Sequence, residues 1–245
     1  MQQEGYFDKH AHYADYFGAA LTEEEKALDR HVLALDFKGD RVEFPMGYSE
    51  ALERSVKRTE HDWLPRMFNL PTHGAALDLG CGFGRSLAWM AQVYDTVVGC
   101  DISASLIEKT REKFAATEHV SLYVNGADTL PVELGEQLFS VIYCFTVFQH
   151  IPRPFTQTLL SDCANRLSAD GCVVFNLLTG INDAVDQGEE HTEWAIGYTR
   201  QQADALLHAC NLKADRIVQW YASDTAAGWL WIQASRCHGS HLPDS

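Results

Sequence analysis

From Ala75 onward, short apolar runs alternate with helical patterns, and this alternation restricts the chain to a small set of folds. Ala75 to Leu79, Thr96 to Asp101, Val120 to Val124, Phe139 to Phe145 and Cys172 to Leu178 read as strands. Phe139 to Phe145 is almost continuously apolar, as a strand buried on both faces of a parallel sheet has to be. Between the strands, Leu106, Ile107, Thr110 and Phe114 share a helix face behind Ser103 as N-cap. Leu159, Leu160, Cys163 and Leu167 share another, expected to stop at Asp170-Gly171. Thr199 to Gln202 is a capping box ahead of Leu206, Leu207 and Cys210. Strands alternating with helices imply right-handed crossovers, so the expected fold is α/β with a doubly wound, mostly parallel sheet. The last two runs, Ile217 to Tyr221 and Trp229 to Ala234, have no helix between them. Ala226-Ala227-Gly228 reads as a hairpin turn there, making the last strand antiparallel.

The N-terminal third reads differently. Thr22 to Glu25 is a capping box backed by Leu28, Val32 and Leu33, and a second amphipathic stretch carries Leu52, Val56, Trp63 and Leu64. Pro65 is expected to kink or restart that stretch. Ahead of both lies an aromatic segment that includes Tyr6, Phe7, Tyr13, Tyr16 and Phe17. Helices this rich in aromatics need a surface to cover. The expected organisation is therefore a helical cap or lid over residues 1–70, a core over 71–236 and a tail over 237–245.

Charge narrows the partners. The chain carries 19 Lys+Arg against 34 Asp+Glu, a net charge of −15, and its one basic cluster, Arg54 to Arg58, is bracketed by Glu53 and Glu60. Such a chain repels a phosphate backbone, so a nucleic-acid partner is not expected. The longest charge-free run, Gln137 to Pro152, is too short and too polar to span a bilayer, and Met1 to Glu4 has no signal-peptide pattern. No membrane association is expected. Seven cysteines, an odd number without a CxxC pair and mostly inside apolar runs, read as reduced thiols of a cytoplasmic protein. No metal site is expected.

The sharpest motif is Asp78-Leu79-Gly80-Cys81-Gly82-Phe83-Gly84-Arg85, at the carboxyl end of the first strand of the alternating region. Ligands of open α/β sheets bind there, and glycines let the backbone approach a ligand at positive φ. A dinucleotide fingerprint needs G-x-G-x-x-G, but the third position counted from Gly80 is Arg85. Asp78 would also repel a pyrophosphate, whereas it suits an ammonium or a sulfonium. Asp101 ends the next strand, roughly twenty residues beyond the loop, where an acid takes a ribose hydroxyl pair. A helix-capping role is its other reading, and the adjacent glycine loop favours ribose. The cleft thus reads as built for a nucleoside with a cationic tail and no phosphate.

These residues resemble the first motif of class I S-adenosylmethionine-dependent methyltransferases, over residues of about 60 to 235. The resemblance implies a Rossmann-like doubly wound sheet with an antiparallel last strand, and S-adenosylmethionine as cofactor. It implies that Gly80, Cys81, Gly82 and Gly84 line the methionine moiety, with Asp78 near its ammonium group. Asp101 and Ile102 would hold the ribose side. Ala127 and Asp128, after the third of these strands, would meet adenine, although Asp128 also reads as a turn acid. Phe145 would follow the cofactor where the acceptor meets the sulfonium.

Methyl transfer to a protonated nucleophile needs a base. His150, in Phe148-Gln149-His150-Ile151-Pro152, is the residue in position, and small-molecule methyltransferases of this family resemble this turn. A loop hydrogen bond is its other reading. No Asp/Asn-Pro-Pro-aromatic turn follows the fourth strand, and no proline precedes a cysteine. The acceptor is therefore expected to be a small molecule methylated on oxygen or nitrogen. The acids Asp183, Asp186, Glu189, Glu190 and Glu193 before Trp194 read as a solvated lid or as attraction for a cationic or amine acceptor stacked on Trp194. Tyr13 and Tyr16 read as substrate-side lid residues or as cap packing. A non-methylating binder of the same cofactor and an NAD-dependent oxidoreductase remain the alternatives.

Overall fold

The structure, a computed structural model, describes residues 20–44, 50–180, 196–222 and 228–237. Its elements run in the order α1 (Glu23–Leu33), β1 (Arg41–Phe44), α2 (Glu50–Arg58), α3 (Glu60–Met67), β2 (Ala75–Leu79), α4 (Arg85–Met90) and β3 (Thr96–Asp101). There follow α5 (Ala104–Phe114), β4 (Val120–Val124), β5 (Phe139–Cys144), α6 (Arg153–Asn165), β6 (Leu167–Thr179), α7 (Arg200–Ala209), β7 (Leu212–Ala222) and β8 (Gly228–Arg236).

Both expected capping boxes form. Thr22 Oγ1 accepts from the Glu25 amide while the Glu25 carboxylate accepts from the Thr22 amide, and Thr199 and Gln202 do the same at α7. Ser103 caps α5 through the Leu106 amide. The expected break at Pro65 falls elsewhere. The helical stretch divides at Thr59, whose hydroxyl donates to the Ser55 carbonyl, and Pro65 sits inside α3. As the sixth of the eight residues of α3, Pro65 forfeits one intrahelical bond, and the helix ends two residues later.

The eight strands form one sheet in the order β1-β7-β8-β6-β5-β2-β3-β4. All neighbours are parallel except β8, which runs antiparallel to both β6 and β7. The expected final hairpin is therefore present, although its turn, 223–227, lies outside the described residues. Two elements differ from expectation. The N-terminal third contributes a strand as well as helices: β1 pairs with β7, with Val42 opposite Trp220. Four residues are too few to show a period of two. The helix expected to run to Asp170-Gly171 ends at Asn165, and β6 begins at Leu167. The β5–β6 register shifts between Phe139 and Val141, and a Cβ on Gly171 would meet the Phe139 carbonyl oxygen at 2.6 Å. Asp170-Gly171 thus accommodates a strand irregularity instead of a helix stop.

Two apolar layers bury the sheet. On one face Ile142, Cys144 and Phe175 pack with Leu159 and Leu160 of α6 and Leu206 of α7. On the other, Val141, Tyr143 and Trp231 pack with Leu64 and Met67 of α3 and Leu87 of α4. Trp63 of α3 is fully buried and meets Trp220 and Trp231 edge-on, at centroid distances of 4.7 and 5.0 Å. Among the described residues, α3 of the N-terminal segment is therefore packed into the core.

Candidate functional site

The glycine loop leaves the carboxyl end of β2 and turns into α4. Gly80, Gly82 and Gly84 all have positive φ, at 78°, 50° and 71°. The Gly80 and Cys81 amides donate to the Cys100 carbonyl at 2.8 and 3.0 Å, which fastens the loop to β3. Gly84 serves packing: a Cβ there would lie 2.6 Å from the Phe114 ring. At Gly82 a Cβ would meet nothing within 4 Å.

Asp101 completes the clamp. One carboxylate oxygen accepts from the Gly82 amide at 3.0 Å and the other from the Ser103 amide at 2.9 Å. The cap of α5 is Ser103, so Asp101 is not the N-cap itself. Burial raises the Asp101 carboxyl, and the amides of Ser103, Gly82 and Ile102 oppose that rise.

These residues open onto a cavity of about 270 Å³. Asp78, Gly80, Cys81 and Gly82 form one wall and Asp101 and Ile102 the next. Ala127, Phe145 and His150 close the other side. Gly84 and Asp128 do not line it: Gly84 is taken up by helix packing, and at the β4 turn the wall is made by Asn125, Gly126 and Ala127. Tyr13, Tyr16 and Trp194 lie outside the described residues. His150 is half-buried on a short turn, Phe148–His150, held where the Ile196 amide donates to the Gln149 carbonyl at 2.7 Å.

Asp78 is the most unusual group. It is 3 % exposed, and its Oδ2 has no hydrogen-bond partner among the described residues. Burial pushes its carboxyl up to about 8; the nearby Glu60 and Asp101 add to the rise and Arg85 opposes it. An orphaned buried carboxylate is costly unless something pairs with it, which is why burial favours the protonated form.

Three features escaped sequence reasoning. Arg54 and Lys57 of α2 and Arg85 of α4 reach the cavity wall. The Arg54–Arg58 cluster was the visible signal, but only the fold brings it to the β2 end. Glu60, 2 % exposed, accepts from Ser86 Oγ at 2.7 Å and Trp89 Nε1 at 2.8 Å and forms an ion pair with Arg85. Thr146 lines the cavity at φ 58°, its amide donating to the buried Asn176 side chain at 2.7 Å. A β-branched residue in the left-handed region is strained, and such strain collects at functional sites. No sequence signal marks it.

A family described as "Methyltransferase domain" matches residues 76–171, which hold the glycine loop, Asp101 and His150. Residues 76–171 form a methyltransferase domain. The ubiquinone biosynthesis O-methyltransferase of Coxiella burnetii is 28 % identical over 102 residues, 42 % of each chain. Its Pseudomonas fluorescens counterpart is 29 % identical over 118 residues, 48 % of this chain and 49 % of the relative. The chain spans less than half the length of these curated relatives in the match. Among solved structures, an S-adenosylmethionine-dependent methyltransferase from Clostridium acetobutylicum aligns over 94 % of this chain and 98 % of its own, with TM-score 0.58 and 13 % identity. A geranyl diphosphate methyltransferase bound to S-adenosylmethionine aligns over 76 % and 88 %, with TM-score 0.60 and 16 % identity. At these identities the structures establish the fold of the methyltransferase domain.

Proposed function

We propose that this protein binds S-adenosylmethionine and transfers its methyl group to oxygen or nitrogen of a small-molecule acceptor. The observation that carries the reading is the buried, unpartnered Asp78 carboxyl facing the same cavity as Asp101 across the glycine loop. The residues present fit the cofactor. Asp78 supplies the anion for its ammonium group and Asp101 an acceptor for its ribose hydroxyls, while Ile102, Leu106 and Ala127 supply apolar wall for adenine. Two carboxylates at this cleft oppose the pyrophosphate of a dinucleotide. When bound, the cofactor supplies a methyl group already activated by its sulfonium. What is left to the protein is alignment and exclusion of water. Phe145, 6 % exposed, and the strained Thr146 shape the wall after β5 where an acceptor would be aligned.

His150 lies on the next turn and serves as the base that takes the proton of the acceptor's nucleophile. The curated relatives, named as O-methyltransferases, support a hydroxyl as that nucleophile. The acids of 183–193 and Trp194, from which a cationic acceptor was expected, lie outside the described residues. The described wall brings Arg54 and Lys57 to the cavity instead. The proposal therefore extends to a small acceptor with a removable proton and not to its charge. The net charge of −15 supports an acceptor other than nucleic acid. All seven cysteines are free, six of them buried, which supports a reducing compartment such as the cytoplasm. Among the described residues no helix is long and apolar enough to cross a membrane.

A thermal titration tests the cofactor. S-adenosylmethionine at a hundred times its Kd should stabilise the protein by about 2.7 kcal/mol and raise Tm by several degrees, whereas NAD should leave Tm unchanged. A rise with NAD alone would reverse the assignment. His150→Ala should lower kcat by roughly 10²–10⁴ and leave cofactor Kd within about twofold, since in the proposed role His150 acts on the acceptor. Undiminished turnover of the variant would remove His150 as the base.

A further inference from the structure

The Glu60 carboxylate has no place in methyl transfer as derived above, yet it is buried at the join between the cap and the glycine loop. It reaches from the start of α3 into α4, where it holds Ser86, Trp89 and Arg85 together. Arg85 immediately follows the loop. Its guanidinium also donates to the Lys57 carbonyl at 2.7 Å, so the same side chain ties α2 to the cavity wall. Glu60 therefore fixes Arg85, the cation that acts on Asp78, while presenting its own negative charge to Asp78.

We propose that Glu60 is a positioning residue which, acting through Arg85 and on Asp78, couples entry of the cofactor's amino-acid end to release of one proton from the Asp78 carboxyl. This rests on the functional reading above. In the empty site Asp78 is a buried acid with an unpartnered oxygen, and its neutral form avoids an isolated charge. When an ammonium group arrives, the carboxyl gives its proton to solvent and the resulting carboxylate pairs with the ammonium. One O–H bond breaks, one ion pair forms and no electrons are exchanged.

The surroundings of Asp78 set the direction. Glu60 of α3 and Asp101 of β3 favour the protonated form, and Arg85 of α4 favours the carboxylate. The thiols of Cys81, Cys100 and Cys144 also face it and are pushed up by burial, so they contribute no charge. Arg54 and Lys57 of α2 complete the charged wall of the cavity. Since burial, Glu60 and Asp101 together hold the Asp78 carboxyl at about 8, the coupling operates across neutral pH.

The sign follows. Below about pH 8 the empty site holds a proton that binding must expel, so affinity falls about tenfold for each unit of acidification. Above that, the ligand's own α-amino group loses its proton, near 7.7–8.0, and affinity falls again. Removing the Glu60 charge eases ionisation of Asp78 and moves the acid limb to lower pH by about one unit, the low end of what a close like charge produces. Removing the Arg85 charge moves it the other way.

The test is calorimetric titration of the full chain with S-adenosylhomocysteine from pH 6 to 9. Glu60→Gln keeps an acceptor for Ser86 and Trp89, and Arg85→Met provides the opposite sign. Relative to each protein's own affinity at pH 8.5, Glu60→Gln should bind about sixfold tighter than wild type at pH 6.5. Buffers of different ionisation enthalpy should show close to one proton released by wild type at pH 6.5 and less by the variant. The Arg85→Met limb should rise. A purely structural Glu60 would weaken binding equally at every pH, and that result, or coincident acid limbs, overturns the inference. Wild type that fails to bind the ligand at any pH overturns the functional reading instead.

Discussion

Asp101→Ala should weaken binding of S-adenosylmethionine by about a hundredfold or more. The reason is the double duty of this side chain. Its oxygens hold the Gly82 and Ser103 amides, and the same carboxylate lines the cavity. A charge-assisted hydrogen bond to each ribose hydroxyl contributes about 1.5–3 kcal/mol, so loss of two such bonds exceeds two decades in Kd. Loss of the two backbone contacts adds to this by releasing the Gly82 end of the loop. Calorimetry at fixed pH reads the first effect, and a fall of a few degrees in Tm without ligand reads the second. Unchanged affinity would reduce Asp101 to a loop clamp and move the ribose elsewhere.

The largest effect on stability belongs to Trp63→Ala. The indole is fully buried, packs between Phe37, Trp220 and Trp231, and donates from Nε1 to the Val56 carbonyl at 2.9 Å. Removing a buried aromatic of this size costs about 3–5 kcal/mol, and in a chain of this length Tm should drop by roughly 10 °C. Trp63 does not line the cavity, so affinity for the cofactor, measured well below the new Tm, should stay within a few-fold of wild type. An undisturbed Tm would mean that the cap contributes little to the core, against the burial of Trp63.

How much was legible in the sequence varied with the range of the interactions. The strands β2, β3 and β5 were readable because each is a short apolar run buried on both faces, and the capping boxes at Thr22 and Thr199 because a cap is a local hydrogen-bond pattern. That the glycine loop, Asp78 and Asp101 come together at one cavity was legible because their spacing along βαβ is set by the fold itself. What stayed hidden depends on distant partners. β1 exists because β7, far along the chain, offers it an edge. Arg54 and Lys57 reach the cavity wall, and Glu60 meets Arg85, only through the packing of α2 and α3, and in sequence they showed only a basic cluster bracketed by acids. The Thr146 amide donates to Asn176, thirty positions away. Gly84 and Asp128 illustrate the opposite error: a motif position matched in sequence, yet packing rather than the cavity claims the glycine, and the aspartate falls just beyond the wall.

The position of β8 has a consequence for biogenesis. Because it slots between β6 and β7 as the one reversed strand, the sheet cannot be closed until Gly228–Arg236 has left the ribosome. Until then β6 presents an open hydrogen-bonding edge, and α3 has neither Trp220 nor Trp231 to rest against. Nascent chains stalled before residue 212 should therefore be chaperone-dependent and prone to aggregate, and α3, although translated before the sheet it packs on, should be among the last elements to gain protection from hydrogen exchange.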